Sequence, residues 1–316
     1  MSIFRRVLRW VFLLFGIIAG VSASIIVYFS RRLINPPRQP QWATPSDLGL
    51  SYESVQFPAA DGVRLSGWFV PAKIETRREG ATLILVHGWP WNRLGEAAED
   101  FLSGILQLPP IDLLRLAFSL QQDGYNLLMF DLRNHGSSAA APPVTFGWQE
   151  SEDLLGAVQY LKSRDDVDSG RIGAVGFSMG ANTVIYGLSK TDQIKAAIAV
   201  QPTSVGSFSK RYAADLVGPL AKIVLPIAEL IYQAAGGPPM GSIQPGFAAA
   251  GTGSTPILYI QSQTDRWGSL EDVTQMCLAS PAGHGPLAVE ADDRIGGYQY
   301  LIDHPVVATA FFEQHL

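Results

Sequence analysis

The pentapeptide Gly176-Phe177-Ser178-Met179-Gly180 constrains this chain more than any other stretch. The apolar run of residues 171–177 leads into it, and residues 181–188 follow with helical character. Strand, sharp turn and helix is the setting in which Gly-x-Ser-x-Gly has chemical meaning. The serine takes a strained conformation, and the close approach of strand and helix tolerates only tiny residues two positions either side. Such a turn lifts the Ser178 hydroxyl clear of the sheet edge and sets the Met179 N–H beside a developing oxyanion. Pentapeptides of this form also arise by chance as glycine-rich turns with a solvated serine, so the remainder of the chain has to decide.

That remainder alternates strands with helices. Residues 51–57 and 63–71 alternate in hydropathy around Ala60-Asp61-Gly62, which predicts a β-hairpin. Continuous apolar runs at 81–86, 125–130, 194–200 and 256–261 predict strands buried on both faces, with a short last strand at 287–291. Helices are predicted over 148–164, 270–278 and 305–315, and two over 96–122, interrupted at Pro109-Pro110. Residues 203–254 mix helix formers with glycine and proline and read as an inserted helical cap. The expected fold class is α/β, a mostly parallel sheet flanked by helices, occupying residues 51–316.

The amino terminus differs in kind. Residues 10–29 form an uncharged stretch of 20 residues, about 30 Å long as a helix, which matches the hydrocarbon core of a bilayer. Trp10 and Tyr28 stand near its ends, where interfacial aromatics belong. Val21-Ser22-Ala23 would pass as a leader-peptidase site, but the apolar run continues through Ile25, Ile26 and Val27, which favours an uncleaved single-pass anchor over residues 1–34. Arginines flank it on both sides (Arg5, Arg6 and Arg9 before; Arg31, Arg32 and Arg38 after), so charge does not fix the orientation. The proline-rich residues 35–50 read as an extended linker.

Composition excludes other classes. A net charge of −5 with no basic tract beyond the amino-terminal arginines argues against nucleic acid as a partner. The single cysteine, Cys277, excludes an intrachain disulfide and a cysteine-built metal cluster. Metal-ligand spacing and a glycine-rich phosphate loop are both missing, so no metal and no cofactor is expected.

With these motifs in order, His87-Gly88, then Asp131-Leu132-Arg133-Asn134-His135-Gly136-Ser137-Ser138, then the pentapeptide, the chain resembles the α/β-hydrolase superfamily. The likeness is to its esterase and serine-aminopeptidase-like branch. The resemblance implies Ser178 as nucleophile and the backbone N–H groups of Trp89 and Met179 as the oxyanion hole. Asp265, four residues beyond the strand ending at Gln261, takes the place of the acid. Asp272 is a weaker substitute, inside a predicted helix.

The base is the weak point. In this family a histidine lies in the loop after the last strand, and here that loop reads Asp292-Asp293-Arg294-Ile295-Gly296-Gly297-Tyr298. Asp293 or Arg294 stands nearest the missing position, and neither acts as an imidazole does. Of the five histidines, His87 and His135 belong to the loop motifs, His284 precedes the last strand and His315 is terminal. His304, expected at the start of the final helix, is the remaining candidate base; otherwise the triad is broken. Two readings stay open: a membrane-anchored serine hydrolase cleaving a small-molecule ester, thioester or amide, and a non-catalytic binding protein on the same fold. The apolar cap and the anchor favour a lipophilic ligand in either case.

Overall fold

A computed structural model describes residues 3–72, 78–97 and 108–316. An eight-stranded sheet runs in the order β1 (Glu53–Pro58), β2 (Arg64–Val70), β6 (Asn126–Asp131), β3 (Thr82–Val86), β7 (Ile172–Phe177), β8 (Ala196–Val200), β9 (Ile257–Ser262) and β10 (Gly283–Val289). The β1–β2 hairpin is antiparallel and turns at Gly62, whose φ of 91° suits glycine. β2 pairs with β6 antiparallel, and the other neighbours are parallel. Every residue of β3, β6, β7 and β8 is buried, which is why these strands read as unbroken apolar runs.

Two apolar layers cover the sheet. On one face Leu154, Ala157, Val158 and Leu161 of helix Glu150–Lys162 pack with Ala181, Val184 and Ile185 of helix Met179–Leu188. The spacing of the first four is that of one helical stripe. On the other face helices Leu113–Gln122, Arg294–Asp303 and Val306–His315 contribute Leu113, Leu116, Leu301 and Phe312.

Two sequence expectations change. Of the two helices expected over 96–122, the second is Leu113–Gln122; residues 98–107 lie outside the described ones, and a two-residue ladder of β4 (Gly95–Glu96) with β5 (Ile111–Asp112) flanks them. The segment 292–298, expected to be a loop, instead opens helix Arg294–Asp303, with Asp293 as N-cap accepting from Gly296 N at 2.9 Å.

Between β8 and β9 the cap forms helices Val205–Val217, Ala221–Ala234 and Pro245–Ala249. Asn182, in the helix behind Ser178, ties the cap down: its side chain donates to Thr203 O and accepts from Thr203 N, both at 3.0 Å.

The amino-terminal helix Ile3–Ile34 is long and apolar enough to cross a membrane, and Phe4, Trp10, Phe12, Phe15, Ile17 and Val21 on it are exposed. Its last turns belong to the globular part. Leu33 joins the main core, and Phe29 packs among Tyr212, Val224, Ala228 and Trp267. The segment that follows is docked rather than free. Arg38 donates to the carbonyls of His135, Gly136 and Ser138 at 3.2, 2.5 and 2.6 Å.

Candidate active site

Ser178 sits between β7 and its helix at φ 53°, ψ −113°, a conformation that a non-glycine residue adopts only under constraint. The flanking glycines supply the room. A Cβ on Gly180 would lie 2.1 Å from the Val86 carbonyl oxygen, and one on Gly176 would lie 2.3 Å from that of Gly180. The backbone N–H groups of Trp89 and Met179 donate to no partner among the described residues. Trp89 and Ser178 line one small cavity.

Asp265, the expected acid, lies in the loop after β9. Its Oδ1 accepts from Trp267 N and Gly268 N, each at 2.9 Å, and its Oδ2 accepts from Gln261 Nε2 at 2.9 Å. Burial alone would raise its pKa, but the adjacent Arg294 charge and these hydrogen bonds hold it below the usual carboxylate range. Asp272 is engaged elsewhere. Its carboxylate accepts from Ser204 N and Oγ, both at 3.2 Å, and pins the start of the cap.

The space between Ser178 and Asp265 is filled by Arg294. Its Nη1 pairs with Asp265 Oδ2, its Nη2 donates to Ser178 Oγ at 3.2 Å and to Gln201 O at 2.6 Å, and its Nε donates to Tyr298 Oη. Gln201 Nε2 returns a bond to the Arg294 carbonyl. The side chain is fully buried. Burial by itself would lower its pKa; Asp265 and Tyr298 reverse that, so the guanidinium is charged. Tyr298 stands beside Ser178 as a neutral phenol, its pKa raised by burial against the opposing pull of Arg294 and Ser178.

His304, the candidate base, is not brought to Ser178. It follows the last turn of helix Arg294–Asp303, about 15 Å along the axis from Arg294 at 1.5 Å per residue. There it is exposed, stacks on Tyr300 at 4.6 Å and approaches the Tyr300 carbonyl through Nδ1 at 2.9 Å. The helix not foreseen over 294–303 accounts for the difference, because it carries the chain from the site back to the opposite edge before His304 is reached. His87 and His135 are buried loop-ordering residues. His87 Nε2 accepts from Leu132 N at 3.0 Å, and the Nδ1 atoms of the pair lie 2.7 and 2.8 Å from the carbonyls of Gly88 and Arg133.

The cavity over Ser178 measures about 40 Å³, room for about three water molecules. Trp89, Trp91, Phe208, Tyr212, Trp267 and Tyr298 form its aromatic walls, and the buried Glu96 also lines it. Arg32, from the amino-terminal helix, also lines it, with its guanidinium 5.6 Å from the Trp89 ring centre. Among the described residues no cluster of histidine, cysteine and carboxylates could hold a metal ion.

A family model described as the alpha/beta hydrolase family matches residues 83–309. An uncharacterised protein of Salmonella typhimurium, YfhR, is 30% identical over 190 residues, covering 57% of this chain and 54% of its own length. Thiohydrolase apmlB of Arthrinium phaeospermum is 27% identical over 161 residues, covering 50% of this chain and 45% of the relative. The chain thus spans about half the length of the curated relatives it matches. Among solved structures, the Pyrococcus furiosus esterase Pf2001 superposes with a TM-score of 0.66 at 27% identity, covering 89% of this chain and 97% of the esterase.

Proposed function

The chain belongs to the alpha/beta hydrolase family, and from that premise we propose that its Ser178 pocket binds an acyl ligand through the carbonyl or carboxylate oxygen, with ordinary serine turnover suppressed by Arg294. One observation carries the reading: a charged guanidinium donates to Ser178 Oγ from between it and Asp265. A general base must accept the hydroxyl proton, and arginine offers five donors and no acceptor at any working pH. Asp265 cannot substitute, since its carboxylate is taken up by Arg294, Gln261 and two backbone amides. Ser178, Arg294 and Trp89 around one small space suit an oxygen-rich, proton-accepting head group. Aromatic walls suit the apolar chain behind it. The amino-terminal helix supports a membrane anchor, and so a lipophilic ligand.

A second reading is serine hydrolysis of an ester or thioester. The strained Ser178, kept with both small neighbours and the two unpaired amides, favours it, as do an esterase and a thiohydrolase among the relatives. Fluorophosphonate labelling of the full chain separates the two. The binding reading expects no labelling of wild type and labelling of Arg294→His, where an imidazole would stand next to Asp265. Labelling of wild type that disappears in Ser178→Ala would sink it and establish the hydrolase.

A further inference from the structure

Cap helix Ala221–Ala234 is apolar on two sides. Ala221, Val224, Ala228 and Tyr232 face inward and are buried. On the outside, Leu220, Ile223, Ile227, Leu230 and Ile231 form an exposed stripe at helical spacing. Lys222, Glu229 and Gln233 occupy a separate polar edge, where Glu229 accepts from Met240 N at 2.9 Å. An exposed apolar stripe of this length on a folded domain calls for something that covers it.

The neighbouring helix indicates what does. Ile25, Ile26 and Phe29 of the amino-terminal helix pack into the same cluster as Val224 and Ala228 of the cap helix. Ile25, Ile26 and Phe29 are the last residues of the uncharged stretch 10–29, the part that fits the bilayer core. A helix packed against that level of the anchor lies at the same depth. Its outward stripe then continues the anchor's own exposed apolar surface.

We infer that cap helix Ala221–Ala234 is a second membrane-contacting element, with Ile223, Ile227 and Leu230 set among lipid acyl chains beside the anchor. This rests on the anchor reading of residues 10–29 and deepens the lipophilic-ligand proposal. The cap that walls the Ser178 cavity through Phe208 and Tyr212 is held against the bilayer, so an acyl ligand enters from lipid rather than from bulk water.

The test uses the full chain in nanodiscs of phosphatidylcholine carrying spin-labelled acyl chains. On a Cys277→Ser background, single cysteines replace Val21, Leu230 and Gln233 in turn, each carrying a bimane fluorophore. Leu230→Cys should lose as much fluorescence as Val21→Cys, while Gln233→Cys keeps most of its signal. Quenching at Val21→Cys with none at Leu230→Cys would overturn the cap inference and leave the anchor in place. Quenching at neither position would overturn the anchor reading and the inference with it. Equal quenching at Leu230→Cys and Gln233→Cys would also refute it, because burial of the polar edge contradicts a helix lying on one face. An Ile227→Cys variant repeats the reading should Leu230→Cys fail to fold.

Discussion

Arg294 Nη2 donates to Ser178 Oγ at 3.2 Å, so the hydroxyl that a hydrolase must deprotonate faces a group with protons to give and no lone pair to receive one. The same guanidinium pairs with Asp265, the residue expected from the family resemblance to be the acid. The result is a strained serine and a carboxylate with a cation locked between them.

Restoring an imidazole should restore chemistry. Arg294→His is expected to raise kcat/KM for a short-chain p-nitrophenyl ester by roughly 10²–10⁴, the usual worth of a positioned general base. Arg294→Lys should give no such gain, and Ser178→Ala on the histidine background should abolish it. Steady-state kinetics on protein verified as folded by circular dichroism provides the check.

Removing Asp265 should be costly for a different reason. Asp265→Asn leaves a buried guanidinium without its counter-charge, and breaking such a pair typically destabilises by about 3–5 kcal/mol. Adding Arg294→Met should recover most of that loss, because both charges are then gone. Denaturant midpoints of the three proteins would show whether the recovery occurs.

Acid should destabilise the fold well above the carboxylate range. His87 is held down to about 4 by burial, against the pull of the Asp131 charge. His135 is held down to about 3 by burial and by the neighbouring His87. Both pKa values lie below that of an unfolded histidine, about 6.5, so the unfolded chain takes up protons first. The stability from keeping them neutral is complete above that pH. It falls as pH drops, by up to about 1.4 kcal/mol per pH unit for each histidine. Asp265, also depressed, adds a loss that begins only below about pH 4. Urea midpoints between pH 7.5 and 5 should therefore slope downward, and His135→Asn should flatten the slope. Asp153, pushed up to about 7 by burial, pulls the other way over the same range, so the check is the difference between wild type and His135→Asn: identical slopes would contradict the burial of that ring.

Truncation should discriminate between two cut points. Deleting residues 1–24 removes the exposed part of the amino-terminal helix and spares Ile25, Ile26, Phe29 and Leu33. Deleting 1–34 removes them, at a cost of about 1.5–3 kcal/mol for each large apolar side chain no longer buried. The longer deletion also strips Arg32 from the cavity wall. Chemical denaturation of the two proteins in the same detergent should resolve the difference.

Much of this was legible in the sequence. The apolar runs became β3, β6, β7 and β8 because strands covered on both faces have nowhere to put polar residues. Asp265 was singled out by the family resemblance, and it lies in the loop after β9, paired with Arg294. Arg294 was visible as a residue near the missing histidine, but not as the group reaching both Ser178 and Asp265, since that depends on where a helix starts. The helix was hidden by Gly296-Gly297, which reads as a loop and is there for packing. A Cβ on Gly297 would strike the Gln201 side chain at 2.4 Å, and one on Gly296 would meet Ala291 at 2.8 Å. Overlooking those ten residues of helix put His304 at the wrong edge of the sheet.

Arg32 is reached from Phe29 in three residues of unbroken helix, a rise of about 5 Å. With the apolar stretch seated in a bilayer, the cavity would hang at a fixed altitude over the lipid instead of sweeping an arc on a tether. A ligand anchored by its own tail would then have to carry its oxygen head at that same height. Chain length and head-group reach would be selected by a ruler built into the protein, before any side chain in the pocket is consulted.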